Sequence, residues 1–179
     1  MNIVSKFVWV SLFTVCLNSC SFVYDKTDSV GDLEFKIILN KRDYSIGENI
    51  VCDLILTNGS SQPILVNQRM AFNDYYPIDV FWEVGFIFTS PSGDDIFLIP
   101  RVNIGPPGEN DYKMIEPGIS VMKAIILNEW FGPFDTPGLY TVKAVYTSRD
   151  YSDYVDLGDN VQAWEGEIIS EGVDFNILP

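Results

Sequence analysis

The residues best suited to hold a ligand lie between Ser148 and Asn160, in the run S-R-D-Y-S-D-Y-V-D-L-G-D-N. Asp150, Asp153, Asp156 and Asp159 recur at every third position, and Asn160 follows the last of them. Ca²⁺ is a hard cation that takes about six to eight oxygen ligands, and a loop dense in carboxylate and amide oxygens can supply them. The spacing differs from that of an EF-hand loop, where acidic ligands alternate. A solvated acidic loop between two strands explains the same run without any ion, and charge runs commonly have that origin. Aromatic side chains stand nearby. Tyr151 and Tyr154 lie inside the acidic run, and Tyr75 and Tyr76 lie in an earlier irregular segment. All four have polar neighbours, so they are expected at the surface, where a ring can stack on a sugar or grip a protein loop.

Several chemistries are excluded by composition. The chain has no histidine, which removes Ser-His-Asp and Cys-His catalysis and the usual His-containing zinc sites. It has no G-x-S-x-G elbow, P-loop or G-x-G-x-x-G unit. Paired carboxylates, as in glycoside hydrolysis, remain available. Twenty-five Asp and Glu in 179 residues would bring two within reach by chance, so their number points to no activity, and a non-enzymatic role is expected. With 11 Lys and Arg, the formal charge is −14. Nucleic acid is a poor partner for such a chain, because its binding rests on neutralising phosphates with basic side chains.

The elements that would position these residues begin after a distinctive amino end. Lys6 is the only charge before Asp25, and Phe7 to Leu17 is apolar apart from Ser11 and Thr14. That is the pattern of a secretory signal, with a basic n-region and an apolar h-region. It falls short of the ~20 apolar residues that span a bilayer. Leu17-Asn18-Ser19-Cys20 resembles the lipobox of bacterial lipoproteins, although Asn18 departs from the small or apolar residue usual there. The resemblance implies that residues 1–19 are a cleaved signal peptide, that the Cys20 thiol carries a diacylglyceryl group, and that the new amine is acylated, with palmitate among the chains. Ser21, where Asp would signal retention, implies sorting to the outer membrane of a Gram-negative cell envelope. Each buried methylene contributes about 0.8 kcal/mol, and two or more chains hold stably where one does not. Residues 20–32 then form a polar, lipidated tether.

Cleavage would remove one lysine and no acid, moving the formal charge from −14 to −15. It would also remove Cys16. With Cys20 acylated, Cys52 is left alone and no internal disulfide is possible. Cys52 shares one face of a period-2 run with Ile50, Leu54 and Leu56, so it is expected to be buried as a small hydrophobe.

Alternating apolar residues predict strands over 33–39, 49–57, 64–67, 80–89, 96–99, 119–127, 139–147, 161–170 and 173–178. Pro91-Ser92-Gly93-Asp94 predicts a hairpin turn before the strand at 96–99. Residues 100–118, with four prolines, read as a long loop. No 3.6-residue periodicity longer than a turn competes with this. The expected fold is all-β, an antiparallel sandwich over residues 33–179. Asp135-Thr136-Pro137-Gly138-Leu139-Tyr140-Thr141-Val142 resembles the tyrosine corner of immunoglobulin-like domains, which implies that the Tyr140 hydroxyl bonds to backbone a few residues upstream. Val142 stands where antibody domains carry a cysteine. The run Y-S-I-G-E-N-I from Tyr44, and the last strands, resemble bacterial immunoglobulin-like surface domains over about a quarter of the chain, which implies an immunoglobulin-like β-sandwich. The G-E-x-I start is also similar to that of small proteinase-inhibitor sandwiches.

The expected function is therefore a membrane-anchored binding protein that recognises a protein or glycan through loops at one end of the sandwich. The alternatives are a structural accessory subunit of an envelope complex, a proteinase inhibitor, or a carboxylate-based glycosidase.

Overall fold

The computed structural model describes residues 33–71, 83–99, 105–158 and 161–179. The expectations for the signal peptide, for lipidation of Cys20 and for Tyr75, Tyr76, Asp159 and Asn160 lie outside the described residues.

In chain order the strands are β1 (Leu33–Leu39), β2 (Asp43–Ser45), β3 (Val51–Asn58), β4 (Ile64–Asn67), β5 (Val84–Thr89), β6 (Phe97–Leu98), β7 (Tyr112–Ile115), β8 (Ser120–Ile126), β9 (Phe131–Gly132), β10 (Gly138–Ser148), β11 (Gly166–Ile169) and β12 (Val173–Leu178). One helical turn, α1 (Leu127–Trp130), and a 3₁₀ turn at Glu109–Asp111 complete the described elements. The protein is all-β, as its alternation predicts. Leu33, Phe35 and Ile37 are buried while Glu34 and Lys36 face water. Cys52, Leu54, Leu56 and Asn58 are buried on one face of β3. Successive side chains of a strand point to opposite sides, so such a pattern buries one face only.

Two main sheets share one core. The first is β1-β3-β8, antiparallel throughout. The second is built on β10, which pairs with β5 along one edge and with β11 and β12 along the other. β11 and β12 act as one interrupted strand. Between the pairs Val145↔Ile169 and Val142↔Val173, β10 uses three residue steps where its partner uses four. The extra residue is a bulge. Ser170 repairs the ladder there: its N–H donates to the Ala144 carbonyl at 2.8 Å, and its hydroxyl accepts the Ala144 N–H at 2.9 Å. β2 lies parallel to β12 at the outer edge of this sheet. The rings of Phe35 and Tyr146, 5.7 Å apart, join the two inner faces.

The strand directions give the molecule two different ends. β1 starts, β3 ends, β5 starts, β8 starts and β10 ends at one of them. This loop end also carries the β4–β7 pair and residues 149–158 and 161–165. The opposite turn end is closed by rings. Phe88 meets Phe131 and Phe134, Phe134 meets Tyr140 and Phe175, and Phe175 meets Tyr44, all with centroids 5.4 to 6.0 Å apart.

Three expectations need correction. Residues 100–118 are not wholly loop, because β7 pairs there with β4 in the register Ile64↔Ile115 to Asn67↔Tyr112. β7 is short and its Lys113 and Met114 face water, so the surrounding prolines hid it. The strand expected at 96–99 does not fold back on β5 but pairs with β9 as β6. The strand expected at 161–170 is regular only from Gly166. Before it, the Trp164 N–H donates to the Leu65 carbonyl at 2.8 Å, so this stretch is held by β4 and leaves the β10 ladder.

Candidate binding groove at the loop end

The loop end is organised by a buried acid. Glu83 precedes β5 in the otherwise apolar run Glu83-Val84-Gly85-Phe86-Ile87-Phe88 and has no exposed surface. A buried carboxylate is costly unless it is paired and its lone pairs are filled. Here both oxygens are filled. Arg69 Nε donates to Oε1 at 3.0 Å and to Oε2 at 3.1 Å, and Arg69 Nη2 also donates to Oε1. Asn67 Nδ2 donates to Oε1 at 3.1 Å, and the Ala71 N–H donates to Oε2 at 2.6 Å. Arg69 Nη1 donates onward to the Gly105 carbonyl at 3.0 Å and stands 3.9 Å from an Asp111 oxygen. Burial disfavours the guanidinium charge, but the hydrogen bonds and charge of Glu83 outweigh it, and the Arg69 pKa lies above its ordinary value.

Three neighbours extend this hub. Tyr146 donates its hydroxyl to the Asn67 carbonyl at 2.9 Å. Lys123 reaches inward from β8 and donates Nζ to the carbonyls of Arg69 and Met70, both at 3.0 Å. Burial pulls the Lys123 pKa below its ordinary value. Met70, at φ +46°, takes a left-handed conformation that is uncommon for a non-glycine residue, and the bonds on either side of it hold it there. The Glu83 and Val84 N–H groups both donate to the Ala71 carbonyl, at 2.8 and 2.9 Å. One carbonyl, that of Ala71, is thus clamped to the start of β5.

Two hollows lie at the loop end. One, of about 320 Å³, is lined by Tyr112, Arg149, Asp150, Tyr151, Asp156 and Glu165 among others. The other, more open and of about 510 Å³, runs between Ile64, Leu65 and Met114 on one side and Gln162 to Glu165 on the other. Val161, Gln162, Ala163 and Glu165 line both, and the two hollows together make up the grooved surface of the loop end. Its wall at Trp164 is packed on both sides. The indole packs at 5.8 Å from the Tyr146 ring. It also covers Gly166, where an added Cβ would fall 2.9 Å from two indole carbons and where φ is +149°, so only glycine fits.

Much of the acidic run lines the first hollow, with one change from expectation. Tyr151 is not an exposed contact residue, being only 3 % exposed. Its carbonyl accepts the N–H groups of Tyr154 and Val155, and the turn so formed folds the ring inward. Burial, then the charge of Glu83, raises its phenol pKa. Tyr154 is 56 % exposed, as expected. The aspartates are engaged locally. Asp150 accepts the Ser152 N–H at 2.8 Å and Asp156 accepts the Gly158 N–H at 2.9 Å, the turns that Asp forms with its own backbone two residues on. The Ser152 N–H holds the Asp150 carboxyl below its usual pKa. Asp153 is exposed. Among the described residues no three His, Cys, Asp or Glu side chains are gathered so as to hold a metal ion.

Two other singled-out residues have clear settings. Cys52 is buried, and burial, with the charge of Asp53, pushes its thiol up to about 12, which removes the thiolate that reactivity requires. The Tyr140 hydroxyl donates to the Thr136 carbonyl, four residues upstream, at 3.0 Å. The Glu83 hub escapes sequence reading, because a single acid in an apolar strand announces a buried charge but not its partner. At the turn end a separate hollow of about 210 Å³ is lined by Ile46, Ile50, Ile99, Phe131, Phe134 and Ile177, with Glu48 and Asp135 beside them. Neither the protein-family models nor the curated proteins contain a match to this sequence.

Proposed function

We propose that this chain is a lipid-anchored protein of the bacterial cell envelope whose folded part is an immunoglobulin-like sandwich that binds a protein or glycan without chemistry of its own. The fold reading is supported by strand order. The trio β1-β3-β8 faces β5-β10-β12, β2 runs parallel to β12, and Tyr140 bonds back to Thr136, features that support an immunoglobulin-type sandwich with a tyrosine corner. The anchor reading is supported by Leu17-Asn18-Ser19-Cys20 after an apolar run.

The observation that carries the binding reading is the groove across the loop end. It is concave and mixed in polarity, lined by Tyr112, Arg149, Asp150 and Glu165 as well as by Ile64, Leu65 and Met114. Concave sites with a few fixed polar groups are the usual form of ligand pockets, and pre-organised walls lower the ordering cost of binding. Gln162 and Glu165, exposed residues that line both hollows, would meet the ligand, and Trp164 would form part of the wall. The test is a glycan array and an envelope pull-down with purified residues 21–179. Saturable binding that weakens about tenfold or more in Gln162→Ala or Glu165→Ala supports the reading. A reproducible hydrolytic or transferase activity of the same protein defeats it.

One observation favours a second reading, an accessory subunit. Among the described residues β8 pairs only with β3, and Met122 on its outer face is 66 % exposed. An open edge beside an apolar face suits strand addition by a partner. A stoichiometric companion recovered after mild crosslinking would favour that reading over a free binder.

A further inference from the structure

The end from which the folded body is tethered is fixed by the position of Leu33. β1 begins at Leu33, which pairs with Asn58, the last residue of β3. Two residues on, the ring of Phe35 packs against Tyr146, near the end of β10, and the Tyr146 hydroxyl holds Asn67. Leu33 therefore sits at the loop end, beside the hub and the groove. The opposite end holds the turn after β5, where the Gly138 backbone closely approaches Pro91, and the hollow around Ile46, Ile99 and Phe131.

From this juxtaposition we infer that the loop end faces the host bilayer and the turn end faces away from it. The inference rests on the proposed acylation of Cys20. Twelve residues separate Cys20 from Leu33. A flexible chain of that length has a root-mean-square span of roughly 20 Å. β10 alone has 11 residues, and at about 3.4 Å per residue a strand of that length measures roughly 37 Å. Reaching around the body would require the tether to be drawn out to nearly its full contour of about 40 Å, with the loss of most of its conformational entropy. The shorter path leaves the loop end nearest the lipid.

Charge sets how the loop end sits there. Glu109, Asp111, Glu116, Asp150, Asp156 and Glu165 all belong to it. Anionic headgroups repel such a surface, so the acyl chains do the holding and the loops stand off the bilayer. The partner admitted by the groove is then one that lies in or close to the membrane plane.

The test uses the full acylated chain in phosphatidylcholine vesicles that carry an energy acceptor on their headgroups. Donor dyes are placed by Ser61→Cys, in the exposed turn after β3, and separately by Ser92→Cys, in the exposed turn after β5. Cys52 is buried with its thiol at about 12 and takes no dye in the folded protein. Transfer from position 61 is expected to exceed that from position 92 by about twofold or more, given a strand length of roughly 37 Å between the two ends. Equal transfer, or more from position 92, overturns the orientation while leaving the anchor intact. Flotation of the unlabelled protein with the vesicles, and its loss in Cys20→Ser, reports the anchor separately. A chain that does not float overturns both.

Discussion

The two ends of the folded body are closed by opposite means. At the turn end, Phe88, Phe131, Phe134, Tyr140, Phe175 and Tyr44 interlock. Their contribution comes from apolar area and ring geometry. At the loop end, a carboxylate, a guanidinium, an amide, an ammonium and backbone groups saturate one another around Glu83. The first closure tolerates small shifts, because dispersion falls off gradually and many atoms share it. The second does not, because each buried polar group depends on a particular partner. The difference teaches that the loop end is built for position and the turn end for bulk stability.

The comparison breaks most sharply at Glu83. Glu83→Ala leaves Arg69, Asn67 and the Ala71 N–H facing an empty site and is expected to cost about 3–5 kcal/mol in urea unfolding. A loss below about 1 kcal/mol would mean that the hub does not hold the loop end. Phe175→Ala at the turn end should cost a similar amount, about 3–5 kcal/mol. The two should differ in repair. Replacing Glu83 and Arg69 together by Leu and Met should recover most of the stability, as buried ion pairs often exchange for apolar groups at little cost.

Alkaline pH gives a collective effect on both ends. Tyr112 is raised from 10.0 to about 12 and Cys52 from 9.0 to about 12, in both cases mainly by burial. Burial also raises Tyr44, Tyr140, Tyr146 and Tyr151. A group whose folded pKa exceeds its unfolded value contributes stability in full below the unfolded value and loses it as pH rises through the folded one. The melting temperature should therefore fall from about pH 9 towards pH 12, in step with phenolate absorbance. Lys123 acts in the opposite sense, because its lowered pKa favours the folded state as pH rises towards 10.5, but it is one group against six. Lys123→Met should steepen the alkaline fall.

The smallest expected effect is at Tyr140. Tyr140→Phe removes the bond to Thr136 and keeps the ring in its stack with Phe175, 5.3 Å away. About 1 kcal/mol should be lost in urea unfolding. A loss of 3 kcal/mol or more, beyond the roughly 1 kcal/mol of one such bond, would show the turn end to be as dependent on single partners as the loop end.

The same contrast decides what was legible in the sequence. The turn end and the main sheets follow from alternation, which is local: Leu33, Phe35 and Ile37, or Tyr140, Val142 and Ala144, announce their shared face within a few residues. The loop end depends on partners far apart in sequence. Glu83 meets Arg69 fourteen positions away, and Tyr146 meets Asn67 at seventy-nine. Periodicity carries no record of such pairs. The acidic run was visible, and so was the exposure of Tyr154. The inward fold of Tyr151 was not, since polar neighbours describe a segment and not the direction of one ring within it. β7 was missed because a four-residue strand with two exposed members presents almost no pattern.

The parallel alignment of β2 with β12 has a mechanical consequence. Tension between Leu33 and Leu178, one at each end of the strands, runs along the strand axes. The β2–β12 links, among them Asn176 N–H to the Arg42 carbonyl at 2.7 Å and Asn176 Nδ2 to Asp43 at 2.8 Å, lie across that line of pull and are loaded together in shear. They must rupture as a group before the carboxyl-terminal strand can slide free, so a body pulled along that line gives way late and all at once.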